Sequence, residues 1–150
     1  MNEPEPSPNP TDCQRPRGHR VLVIEDSRLA AEAMRDALEL GSHTVDVART
    51  GSEGIDKARS FLPDVVLCDV GLPDMDGYQV ARTLRADRRL CSAFLVALTG
   101  HTLHKDEIAA AEAGFDRHVA KPLGLRKLEQ LMADAPTQGV SRPGSDGARV

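Results

Sequence analysis

The sequence predicts an α/β fold, a doubly wound parallel sheet of five strands that alternate with five helices in one domain. Two observations carry that prediction. Short, continuously apolar runs (Val21–Ile24, Val65–Cys68, Phe94–Leu98) are separated by stretches of helical spacing, as expected of strands covered on both faces. Each run also ends on polar residues at an equivalent place. Glu25-Asp26 close the first, Asp69 the second and Thr99 the third, while Lys121-Pro122 follow the stretch Phe115–Ala120.

The elements follow in order. After the first strand, Ala30, Ala33, Met34, Ala37 and Leu38 recur at helical spacing, with Gly41 expected as the left-handed stop. The second strand, Thr44–Ala48, alternates apolar and polar residues and is therefore placed at a sheet edge. Thr50-Gly51-Ser52-Glu53 reads as a capping box opening the second helix, in which Gly54 costs about 1 kcal/mol relative to alanine. A turn-rich loop, Gly71 to Gly77, follows Asp69, and Asp74 and Asp76 read there as turn residues. Tyr78, Ala81, Leu84 and Arg85 carry the third helix; Arg85, Arg88 and Arg89 read as a solvated basic face. Lys105 to Ala113 is an alanine-rich helix stopped by Gly114, and its single large hydrophobe, Ile108, predicts loose anchoring. Leu125, Leu128, Leu131 and Met132 mark the last helix. Right-handed crossovers with the second strand at an edge give the order 2-1-3-4-5, the flavodoxin-like arrangement.

Composition bounds the possibilities. The chain has 150 residues, 40% of them hydrophobic, enough for one core. A net charge of −4 gives no footprint for nucleic acid, and no apolar stretch approaches the roughly 20 residues that span a bilayer. Residues 1–18 hold five prolines, residues 135–150 are rich in Pro, Gly and Ser, and both are expected to be disordered tails around a folded 19–134. Within these limits no second, DNA-binding domain is expected. Cys13, Cys68 and Cys91 form an odd set without C-x-x-C spacing, which predicts a reduced, cytoplasmic protein. Cys68 reads as a small core residue.

In open parallel sheets ligands bind at the carboxyl ends of the strands. One pocket there would gather Glu25, Asp26, Asp69, Thr99 and Lys121. Three carboxylates in one place repel each other without a cation, and oxygen ligands of this kind suit Mg²⁺. Asp69 beside such a metal can attack a phosphoryl group, with Lys121 and the Thr99 hydroxyl meeting its oxygens. His101, His104 and His118 could suggest zinc, but they lack a cysteine or a second regular pair and read as surface or switch histidines.

The chain resembles the receiver domain of bacterial two-component response regulators over about residues 20–134. The resemblance rests on Glu25-Asp26, on Asp69 followed by Leu72-Pro73 and Asp76-Gly77, and on Ala97-Leu98-Thr99-Gly100. Ala113-Gly114-Phe115-Asp116 and Lys121-Pro122 complete it. The spacings of 43, 30 and 22 residues between Asp26, Asp69, Thr99 and Lys121 are also those of the family. Around Thr99-Gly100 and Gly114-Phe115-Asp116 it is most similar to receivers of hybrid histidine kinases.

The resemblance implies that Asp69 accepts a phosphoryl group from a histidine kinase or a histidine phosphotransfer protein. It implies that Glu25, Asp26, Asp69 and the backbone carbonyl of Gly71 hold Mg²⁺, and that Thr99 and Lys121 read the acyl phosphate. The family's inward-swinging aromatic, three positions before the lysine, corresponds here to His118, which can occupy the same space. Gly71 and His101 stand where side chains tune hydrolysis; the open Gly71 side favours a short lifetime. A single-domain regulator that binds an unknown protein target when phosphorylated and a phosphate carrier are both compatible with this pattern. Neither is a dedicated enzyme. The alternative, a Mg²⁺-dependent aspartyl phosphatase of the haloacid dehalogenase type, needs Asp-x-Asp, and Asp69-Val70-Gly71 lacks it. A flavin site would need a hydroxyl-rich loop where Glu25-Asp26 stand.

Overall fold

A computed structural model describes residues 18–100 and 104–136, with the side chains of 104–106 left aside. His101 and nearly all of both expected tails therefore lie outside the described residues. The chain runs β1 (Arg20–Ile24), α1 (Arg28–Leu40), β2 (Thr44–Ala48), α2 (Gly51–Phe61), β3 (Val65–Asp69), α3 (Gly77–Ala86), β4 (Phe94–Thr99), α4 (His104–Ala113), β5 (Arg117–Ala120) and α5 (Leu125–Asp134). The five strands are parallel in the order β2-β1-β3-β4-β5, the expected flavodoxin-like arrangement.

Strand pleating divides the core in two. Val21 and Val23 point to the layer of α1 and α5, where Met34, Leu38, Leu128 and Leu131 meet them. Leu22 and Ile24 point to the layer of α2, α3 and α4, against Ile55, Val80 and Leu84. All residues of β3 and β4 are buried, whereas β2 keeps Thr44 exposed and lies at the edge. Cys68 is a buried core residue whose thiol pKa is pushed far up by burial, first, and by the Asp69 and Glu25 charges.

Two glycines owe their place to close approach. A Cβ on Gly54 would stand 2.5 Å from Ile24 Cδ1, so this residue lets α2 lie directly on β1 despite its helical cost. A Cβ on Gly77 would stand 2.6 Å from the Asp69 carbonyl oxygen, so α3 starts against the strand end that carries Asp69.

Several local expectations are corrected. Gly41 has φ −87°, and the left-handed residue after α1 is Ser42, with φ 70°. The buried face of α1 is Ala31, Met34 and Leu38, and Ala33 is exposed. Ile108 is 46% exposed, so among its described residues α4 is anchored by Ala110 and Ala113. Each buried methyl contributes about 0.8 kcal/mol, against about 1.5–3 kcal/mol for each of Leu128, Leu131 and Met132 on α5. Thus α4 is the lightly held helix, by a different face than expected. Leu125 is 51% exposed and outside the core. Arg85 is not a solvated residue. Its guanidinium donates to the carbonyls of Gly114, Cys91 and Ala93 and to Asp116 Oδ2, at 2.7–2.8 Å, clasping the foot of α4 to α3. Arg88 and Arg89 are exposed as expected.

Candidate functional site

The carboxyl ends of β1, β3 and β4 and the segment after β5 converge on one pocket. β1 and β3 are adjacent, which brings Glu25, Asp26 and Asp69 together, each offering a carboxylate oxygen within 4.8 Å of the others. Glu25 is fully buried, Asp69 is nearly so, and Asp26 is exposed. Lys121 reaches across from the end of β5. Its Nζ donates to Glu25 Oε1 at 3.1 Å and to Asp69 Oδ2 at 3.2 Å. The Lys121–Pro122 peptide is cis, and the Lys121 N–H donates to the Thr99 carbonyl at 2.7 Å, tying the ends of β4 and β5 together.

The electrostatics follow from burial and proximity. Burial pushes the Glu25 carboxyl above its ordinary range and the Asp69 charge adds to this, while the Ser27 N–H and Lys121 counteract it. Burial works against the Lys121 ammonium, but its hydrogen bonds to Glu25 and Asp69 and their charges raise its pKa overall. One ammonium faces three carboxylates. The donor set is all oxygen, partly exposed through Asp26 and deficient in positive charge, so it fits a hard divalent cation.

The loop after β3 is built around this pocket. The Gly71 N–H donates to Asp69 Oδ1 at 3.1 Å, and Gly71 pairs with Asp76 in an isolated antiparallel bridge. A Cβ placed on Gly71 meets no atom within 4 Å, so that side of the pocket is open. Asp74 and Asp76 do more than turn the chain. Asp76 caps α3 by accepting from the Gln79 N–H at 2.9 Å, and Asp74 accepts from the N–H groups of Gly51 and Ser52 at the start of α2. The expected capping box on α2 is also varied: Thr50 Oγ1 accepts from Glu53 N–H, but Glu53 Oε1 accepts from Arg49 N–H, one residue before the cap. Thr99 is buried at the end of β4, its Oγ1 3.4 Å from His118 Nε2 on β5. His118 thus reaches the residue with which it is expected to move. Lacking an Asp-x-Asp acid, the Asp69–Gly71 turn presents only a backbone N–H to the Asp69 carboxylate.

A family model described as the response regulator receiver domain matches residues 21–133. The chain belongs to this family. It is a receiver domain of a two-component system, a class of signalling domains. It is 33% identical over 109 residues to the response regulator MprA of Mycolicibacterium vanbaalenii, covering 73% of this chain but only 46% of that protein. The receiver domain thus spans less than half the length of that relative. It is 30% identical over 108 residues to the polar-differentiation response regulator DivK of Brucella ovis, covering 72% of this chain and 88% of that protein. Among solved structures it resembles the receiver domain of the sensor histidine kinase PA1611 of Pseudomonas aeruginosa PAO1. That match has 25% identity and a TM-score of 0.73 over 79% of this chain and 97% of that one; the PA1611 structure carries a magnesium ion coordinated in its active-site cleft.

Proposed function

We propose that this receiver domain accepts a phosphoryl group on Asp69 from the phosphohistidine of a histidine kinase or histidine phosphotransfer protein. The observation that carries this reading is the Lys121 ammonium bridging Glu25 and Asp69 at the strand ends, with three carboxylate oxygens within 4.8 Å. An Asp69 carboxylate oxygen attacks phosphorus, the P–N bond of the phosphohistidine breaks, and its electron pair stays with the departing imidazole. Glu25, Asp26, Asp69 and the Gly71 carbonyl would hold Mg²⁺, which supplies positive charge against the transferring oxygens. Lys121 meets one of these oxygens and the Thr99 hydroxyl donates to another. Drawing Thr99 inward draws the neighbouring His118 with it, and the lightly anchored α4 shifts in response. Gly71 and His101 set how readily water reaches the acyl phosphate.

Among the described residues no helix is long and apolar enough to cross a membrane, and Cys68 and Cys91 are free thiols, as suits a regulator working in the cytoplasm. Its output is the binding of a protein target or onward transfer of the phosphoryl group. Incubation with acetyl phosphate or a phosphorylated kinase should add one phosphoryl mass, and Asp69→Asn or EDTA should remove it. Undiminished labelling of Asp69→Asn would overturn the assignment.

A further inference from the structure

Glu25 and Asp69 have their carboxylates oriented by direct hydrogen bonds. Glu25 Oε2 accepts from the Ser27 N–H at 3.0 Å and Glu25 Oε1 from Lys121, while Asp69 accepts from the Gly71 N–H and from Lys121. Asp26 differs. Among the described residues its carboxylate receives no hydrogen bond, although it lies within 4.8 Å of the other two. Its direction therefore depends on its backbone. That backbone is gripped from the residue that follows β2: Arg49 Nε and Nη2 both donate to the Asp26 carbonyl oxygen, at 3.2 and 2.9 Å.

The grip continues the sheet. The Glu25 N–H donates to the Ala48 carbonyl at 3.0 Å, one step beyond the last residue of β1, and the next residue of that neighbouring segment, Arg49, reaches on with its side chain. Arg49 is itself fixed, because its N–H is held by Glu53 Oε1 at 2.9 Å in the opening turn of α2. On the far side of Asp26, Ser27 caps α1 by accepting from the Ala30 N–H. The Asp26 peptide is thus held between a strand ladder, a helix cap and a planar two-pronged donor. Lysine would not reproduce that fork.

We infer that Arg49 is a positioning residue for the cation site: by fixing the Asp26 peptide it aims the Asp26 carboxylate at the point shared with Glu25 and Asp69. The inference rests on the reading that these three carboxylates hold a divalent cation. It has a distinctive sign. A guanidinium near three carboxylates repels an incoming cation, so charge alone predicts that its removal tightens Mg²⁺ binding. Positioning predicts the reverse, because partners that orient a ligand typically matter by about tenfold or more in metal affinity.

The test is Mg²⁺ titration of the full 150-residue protein without phosphodonor, followed by calorimetry and by amide NMR shifts, for wild type, Arg49→Met, Arg49→Lys and Asp26→Asn. Arg49→Met should bind Mg²⁺ about tenfold more weakly. Arg49→Lys, which keeps the charge and loses the fork, should also be weakened, though less. The melting temperature without metal should stay close to wild type for both, since Arg49 is exposed, while the increase on adding Mg²⁺ should shrink. Unchanged or tighter binding by Arg49→Met, with Asp26→Asn impaired, overturns the role of Arg49 alone. Failure of the wild type to bind Mg²⁺, or full binding by Asp26→Asn, overturns the cation reading as well.

Discussion

The two ends of the same five strands are built on opposite principles. At the carboxyl edge, Glu25, Asp26 and Asp69 crowd together with Lys121 as the bridging cation, an arrangement with more negative charge than it can neutralise. At the amino edge the groups around His19 and Asp64 are paired. His19 Nδ1 faces Asp64 Oδ2 at 3.3 Å and His19 Nε2 faces the Met132 carbonyl at 3.0 Å. Asp64 Oδ1 accepts from the Arg20 N–H, the Arg20 guanidinium donates to the Phe61 carbonyl, and the His19 N–H donates to His43 Nδ1. One edge holds α5, β1 and the start of β3 in register; the other leaves attraction unsatisfied, as suits the proposed cation and phosphoryl group. Sites that act on charge are expected to forgo stability in this way.

The sharpest way to break the comparison is to neutralise one aspartate at each edge. Asp69→Asn should lose phosphoryl acceptance altogether, by mass spectrometry, yet melt at or above the wild-type temperature, because repulsion with Glu25 is relieved. Asp64→Ala should leave acceptance intact in the folded fraction but cost about 2–4 kcal/mol in urea unfolding, since it orphans the His19 imidazole and the Arg20 N–H. Equal destabilisation by both substitutions would erase the contrast.

Adding Mg²⁺ should raise the melting temperature and EDTA should reverse it, by about 2.7 kcal/mol at a hundredfold excess over the dissociation constant. The same addition should do nothing for Asp26→Asn.

A smaller effect separates the edges by pH. The hydrogen bond to Asp64, foremost, raises the His19 pKa above its ordinary value of 6.5 against the opposing effect of burial, with the Asp64 charge and the Met132 carbonyl assisting. Its contribution is therefore complete below pH 6.5 and is lost as pH rises through the raised value. His43 acts in the other direction. Burial and the neighbouring His19 lower its pKa, so its contribution is present above 6.5 and is lost as pH falls through the lowered value. Between them stability should decline on both sides, and His19→Gln should flatten the alkaline limb in pH-resolved melting.

Least in stability, and informative about the open side of the carboxyl edge, is Gly71→Met. With no atom within 4 Å of the new Cβ it should change stability by no more than about 0.5 kcal/mol while slowing decay of the phosphorylated protein after donor removal. An unaltered decay rate would show that this loop does not control water.

The sequence alone determined the strands, their order and the residues of the acidic pocket. Apolar runs, helical spacing and the polar residue at each strand end are local signals, and a parallel sheet with short crossovers has few ways to assemble them. It did not determine which side chains hold these pieces in position. Arg49 meets Asp26 across 23 residues, Arg85 meets Asp116 across 31, and His19 meets Met132 across 113. A single arginine after a strand, or a histidine before one, looks the same whether it is solvated or gripping a distant carbonyl. Gly41 and Ser42 show the same limit at short range, because both can follow a helix and the route of the chain into β2 selects Ser42 for the left-handed turn. Hydrogen bonds of this kind are decided by where two separately folded segments come to rest, and only the tertiary structure brings those segments together.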